Sequence, residues 1–345
     1  MITPVIDRRT TLTGLAAASL AGCKPRSQGR LHRLRLQFGW VPNVEYAGEW
    51  VAFDQHLFER QGVLVEWFPG GPNALATSIM LAAGEAELGY VSWLPFLEAV
   101  ARGNDQMLIA AVFPRNALGI ISLARHPVTR ASDLLDARIL TPGPPEAIAV
   151  NATLAMAGLP QRWTQLAAGF SPQPLLDGDG DAYIGFDTNQ TLILERQGLV
   201  KNRDFFFSAF DDIGFRSYAA LLATTREMLV HRRQDLIAYL RGLMTGWALN
   251  ARQPTLAPRL AVERYGADLG LDPAQQLGQN LMQIPLTRYP DHPGRPRLAL
   301  DRALMEGPMY AGARAAGHKA LPPVDRLADF SIVYEAAAGL PREYL

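Results

Sequence analysis

From Leu34 onward the chain alternates strand-like and helix-like runs, and that rhythm restricts its fold more than any single motif. Residues 34–38 alternate apolar with polar side chains, the period of a half-buried strand. Residues 48–61 place Trp50, Val51, Phe53, Leu57 and Phe58 at helical spacing and stop at Gly62. A second strand over 63–68 leads into the turn Pro69-Gly70-Gly71-Pro72, after which Asn73 is expected to cap a helix running to Ala83. A third strand at 86–91, a helix opened by Ser92 and a fourth strand at 107–113 complete one unit. The rhythm restarts with a strand at 138–140 and a helix at 145–156, then a strand at 181–186 and a helix at 189–197. After a strand at 217–225 the pattern turns helical, over 226–250, 255–265 and 273–282.

Strands and helices in this order predict parallel sheets with right-handed crossovers. A chain of 345 residues holds two domains at the usual ~100–200 residues each. The expectation is therefore an α/β protein of two lobes, with a ligand cleft at the carboxyl ends of its parallel strands. Lys plus Arg and Asp plus Glu are both 33. With that balance and no clustered basic face, nothing predicts a nucleic-acid partner.

The amino terminus has the three parts of an export signal: Arg8-Arg9, an apolar run from Leu12 to Ala21, and small residues before Cys23. The run is too short to span a bilayer, which takes ~20 apolar residues. Leu20-Ala21-Gly22-Cys23 resembles the lipobox of bacterial lipoproteins, and the twin arginine resembles a Tat signal. Residues 1–23 are read as the signal, Cys23 as the lipidation site anchoring the chain to a membrane, and 24–33 as a polar tether. A plain Ala-rich helix on an unexported protein is the competing reading. Since Cys23 is the only cysteine, the exported body has neither a disulfide nor thiolate chemistry.

The candidate site residues are those at the strand ends: Trp40, Asn43 and Tyr46; Gly70, Gly71 and Asn73; Tyr90 and Trp93; Asp181, Phe186 and Asn189. Aromatic faces for stacking and amides for orientation suit a flat, neutral ligand with polar edges. Gly70 and Gly71 are expected to admit ligand close to the backbone. Trp40, Tyr46 and Trp93 stand equally open to packing roles. The Asp177-Gly178-Asp179-Gly180-Asp181 run lacks the rest of a calcium loop, and the six histidines form no ligand-like pair. No nucleophile elbow or other catalytic constellation is present. Neither metal nor cofactor is predicted.

The run Trp40-Val41-Pro42-Asn43 with Tyr46-Ala47-Gly48, followed by Leu57-Phe58-Glu59-Arg60-Gln61-Gly62, resembles a known binding family. So do Gly84-Glu85-Ala86-Glu87-Leu88-Gly89 and the segment from Asp181 to Phe186. The family is the thiamine-pyrimidine-precursor binding proteins of ABC importers, whose relatives bind riboflavin, sulfonates or nitrate, or act as pyrimidine synthases. The resemblance covers about residues 34–264. It implies a type II periplasmic-binding-protein fold, with lobe one over 34–125 and 216–345 and lobe two over 126–215. It also implies hinge closure on the ligand and docking to a permease. The chain departs from the family at Tyr46, where His is frequent. It lacks the synthases' lysine and histidine, with Val91 and Pro95 at the aligned positions, and it lacks their Cys-rich motif. The resemblance thus implies a non-enzymatic, lipid-anchored, extracytoplasmic binding protein for a thiamine precursor or a vitamin such as riboflavin. A protein binding a sulfonate- or nitrate-type anion is the alternative, and a sensor in place of an importer stays open.

Overall fold

The computed structural model describes residues 31–289 and 292–345, so Cys23, the signal and most of the tether lie outside the described residues. Sheet one has the order β2-β1-β3-β10-β4. Its strands are β1 (His32–Gln37), β2 (Val63–Phe68), β3 (Leu88–Val91), β4 (Gln106–Phe113) and β10 (Ala219–Thr225). Sheet two has the order β7-β6-β8-β5-β9. It is built from β5 (Leu118–Leu123), β6 (Arg138–Thr141), β7 (Thr164–Ala167), β8 (Ala182–Phe186) and β9 (Phe205–Ala209).

Both sheets are mixed, which corrects the expectation of purely parallel ones. In sheet one β10 runs antiparallel between β3 and β4. In sheet two β5 runs antiparallel between β8 and β9. These are the strands that follow the two crossings of the chain, so each sheet receives a strand that arrives from the other. Because β5 already belongs to sheet two, the first crossing precedes Leu118, earlier than the boundary expected at 126.

The helices between the first strands are α1 (Ala47–Asp54), α2 (Leu57–Arg60), α3 (Thr77–Ala82) and α4 (Trp93–Ala101). In the second half come α5 (Pro144–Met156), α6 (Gln173–Asp177) and α7 (Gln190–Arg196). The return is helical: α8 (Arg226–His231), α9 (Arg233–Arg252), α10 (Leu256–Leu260), α11 (Pro273–Gln283), α12 (Arg302–Leu304), α13 (Tyr310–Ala315) and α14 (Ile332–Ala338). The helix expected over 48–61 breaks at His56, whose φ of 52° lies in the left-handed region. Asn73 is exposed in the turn well before α3, whose N-cap is Ala76, so it is not the expected cap.

Strand side chains alternate between cores, as a period of two requires. On one face of sheet one, Ile109, Val112 and Leu222 pack with α1, α2 and α9. The other face adds Leu108, Ala111, Leu221 and Ala223 to a core that also takes Ile120, Ile139 and Ile184 from sheet two. The two sheets therefore share one continuous apolar core, filled by α3, α4, α5 and α13. Tyr183, Ile121 and Leu140 turn the opposite way, into a smaller core under α6 and α7. Helices α1 and α9 cross at backbone contact, since a Cβ on Gly246 would lie 2.1 Å from the Gly48 carbonyl oxygen. Among the described residues no helix is long and apolar enough to cross a membrane.

Candidate functional site

The carboxyl ends of the parallel strands meet at an aromatic pair. Trp40 follows β1 and Phe170 follows β7, and their rings stand edge to face with centroids 4.7 Å apart. Both rings keep solvent-facing surface, and Phe170 is 47% exposed. Trp40 is held through its backbone: its N–H donates to the Tyr46 hydroxyl at 2.7 Å and its carbonyl accepts from the Gly70 N–H at 2.9 Å. The Phe170 segment is fixed from beneath. The Tyr183 hydroxyl donates to the Gly169 carbonyl at 2.9 Å, and the Gln190 amide donates to the Phe170 carbonyl at 3.3 Å.

The remaining candidates divide into residues that back this surface and residues outside it. Tyr46, Tyr90 and Trp93 are buried, so for them the packing role applies. Tyr46 rests on Phe38 and Tyr90, while the Trp93 indole donates to the Met309 carbonyl at 3.1 Å. Asn43 accepts from the Glu45 N–H, which occupies its side chain as a cap. A Cβ on Gly70 would lie 2.4 Å from the Phe38 carbonyl oxygen, and one on Gly71 would lie 2.9 Å from Val41. These glycines therefore let the Trp40 loop pack closely against the turn. Phe186 is exposed at the carboxyl end of β8. Asn189 follows it and accepts two hydrogen bonds from the Gln275 amide, at its carbonyl (3.0 Å) and its side-chain oxygen (2.9 Å).

Asp181 is a correction. It precedes β8, at the end of that strand away from Phe186, and pairs with Arg138 through guanidinium (3.0 Å) and backbone N–H (2.8 Å). That bidentate pair pulls its carboxyl below the usual range. The sequence pattern identified the right strand and the wrong end of it.

Three buried or part-buried carboxylates, Glu45, Glu49 and Glu146, were not among the expected residues. Glu49, on α1, is fully buried and accepts at Oε1 from the Tyr90 hydroxyl and, at 3.1 Å, from the Tyr239 hydroxyl. Its Oε2 finds no partner among the described residues, and desolvation pushes the carboxyl up to about 7. Glu45 keeps a path to solvent, yet the protein mass around it also pushes its carboxyl up to about 7. In the first turn of α5, beyond β6, Glu146 is likewise raised by burial. Lys201 pairs with Asp187, the residue after β8, and Arg196 at the end of α7 pairs with Asp272. Among the described residues no cluster of His, Cys, Asp and Glu is placed to hold a metal. The one usable signal for Glu49 in the sequence was its place three residues after Tyr46, among the apolar residues that open α1.

Known proteins share this fold. The family model described as NMT1/THI5 like matches residues 43–257. The periplasmic aliphatic sulphonate binding protein SsuA of Escherichia coli is 16% identical. The match covers 86% of this chain and 91% of that one, with a TM-score of 0.64. The alkanesulfonate-binding protein SsuA of Xanthomonas axonopodis pv. citri bound to MOPS is 18% identical over 88% and 97% of the two chains, with a TM-score of 0.58. The desulfurization enzyme DSZB is 12% identical over 89% and 99%, with a TM-score of 0.56. At these identities the shared property is the two-lobed periplasmic-binding fold. No curated protein sequence matches the chain.

Proposed function

The chain belongs to the NMT1/THI5-like family, and from that premise we propose that it is the solute-binding protein of an ABC importer. In this reading it works outside the cytoplasm, tethered through lipid on Cys23, and presents its ligand to a permease. The ligand is a small amino-substituted heteroaromatic ring, with a thiamine pyrimidine precursor or a flavin in the expected class. The observation that carries this is the Trp40–Phe170 pair, two part-exposed aromatic faces at the converging strand ends. Raised carboxyls at Glu45 and Glu146 favour a ligand that donates hydrogen bonds or bears positive charge.

The sulphonate-binding solved structures favour the second reading, an anionic ligand. Charge argues against it. A helix N-terminus attracts anions, but the first turn of α5 holds the acidic Glu146 and no Lys or Arg to pair with a sulfonate.

The test is calorimetry and thermal shift on the full chain with an aminopyrimidine, riboflavin and a short alkanesulfonate. Binding of either heteroaromatic, lost about tenfold or more in Trp40→Ala with the fold intact, supports the reading, since stacking and its buried area together supply at least that much. Binding of the sulfonate alone overturns it. For the anchor, a mass spectrum of the amino-terminal peptide from the exported protein should show acylated Cys23.

A further inference from the structure

Besides the Trp40–Phe170 pair, the two halves touch along two seams of opposite chemistry. One is the continuous apolar core around α4, α5 and α13. The other joins α7 of the second half to α11 of the return, and it is mainly polar. The Gln275 amide donates to both the carbonyl and the side-chain oxygen of Asn189. Arg196 meets Asp272 in a fork, at 2.6 and 2.8 Å. Leu192 of α7 also packs on Gly278 of α11, where a Cβ would come within 3.2 Å.

Helix α11 is firmly part of the first half. Gln276 accepts from the Val44 N–H at 2.8 Å and Gln283 donates to the Val44 carbonyl at 2.6 Å, fixing it to the loop that follows β1. It therefore carries Gln275 and Asp272 as a rigid arm toward the second half.

We propose that the α7–α11 seam is the latch that holds the cleft shut, with Gln275 and Asp272 on α11 grasping Asn189 and Arg196. An apolar seam resists separation, because opening it exposes hydrocarbon to water. A polar seam exchanges protein hydrogen bonds for water at small net cost, so it is the side that parts. Two buried oxygens strengthen the argument: Oε1 of Gln275 and of Gln279, one turn apart on α11, have no partner among the described residues. Opening hydrates them, which lowers the cost of release and keeps the latch near balance. Asn189, expected as a ligand contact, becomes a closure residue.

The latch rests on the binding-protein reading for its purpose only, because its geometry and its test need no ligand. Spin labels on Glu195→Cys and Glu263→Cys, in full-length protein carrying Cys23→Ser, report the distance between the halves by pulsed electron resonance. Gln275→Ala removes two hydrogen bonds and should shift the closed-to-open ratio by about tenfold toward open. Arg196→Asp, at an exposed position, should shift it the same way, and adding Asp272→Asn, which relieves the repulsion and keeps an N-cap on α11, should restore part of it. An unchanged distance distribution in both single variants overturns the proposal, as does a double variant no better than Arg196→Asp. Failure of every candidate ligand to bind would sink the proposed function and leave the latch result standing.

Discussion

Replacing Glu49 with Gln should flatten the pH dependence of stability on the side where carboxylates usually strengthen a protein. The Glu49 carboxyl is raised from 4.5 to about 7, first by desolvation, against the opposing hydrogen bonds from Tyr90 and Tyr239. A carboxyl raised on folding binds more protons in the native state than in the unfolded chain between those two values. Its contribution is therefore full below about pH 4.5 and is lost as pH climbs to about 7. Each pKa unit corresponds to ~1.4 kcal/mol, so the loss across that window is about 3 kcal/mol. Gln keeps an oxygen for both tyrosine hydroxyls and cannot ionise. Denaturant unfolding of wild type and Glu49→Gln from pH 5 to 8 reads the effect as a difference, since Glu146 titrates in both and the charge of Glu45 is the smallest of the influences on Glu49. The variant should gain on wild type by about 2–3 kcal/mol as pH rises through that range. Parallel stability curves would refute the reasoning and mean that Glu49 is ionised in the fold at pH 5.

Two further substitutions test the architecture. Gly246→Ala should destabilise by about 3 kcal/mol in denaturant unfolding, since the new methyl meets the Gly48 carbonyl at the α1–α9 crossing. Gly307→Ala, in a helical turn where a Cβ meets nothing within 4 Å, is the control and should be neutral or stabilising by up to about 1 kcal/mol. Asp181→Asn should cost about 1 kcal/mol or less, as part-exposed ion pairs do, and leave ligand affinity unchanged. Loss of binding in that variant would return Asp181 to the site.

The strands with clean alternation or continuous apolar runs, β1 to β4 and β8, were legible because their side chains serve dry faces with a period of two. β7 was not: Thr164-Gln165-Leu166-Ala167 is a largely exposed edge with little apolar signal. Missing it hid Phe170, whose only mark was to follow a strand. β5 was overlooked although it is apolar, and with it went the early crossing. Strand direction leaves no local trace, so the antiparallel β10 read like its neighbours. At the site, residue type located the strand ends but could not distinguish the lining from the layer behind it. Tyr46 and Tyr90 are buried because Glu49 and the Trp40 backbone occupy their hydroxyls. Asn189 and Gln275 lie far apart in the chain, and only the folded return brings them together.

The exchanged strands bear on how the molecule is made. β10 fills the gap between β3 and β4, so while the chain is emerging from a ribosome sheet one remains split until Thr225 is free. Sheet two is encoded without interruption, from Leu118 to Ala209, and can be paired before that point. The half synthesised first is thus the half completed last, and for that interval β3 and β4 present unpaired edges of the kind that recruit other chains. A stop codon anywhere before β10 would leave sheet one without its inner strand, however much of its sequence had been translated.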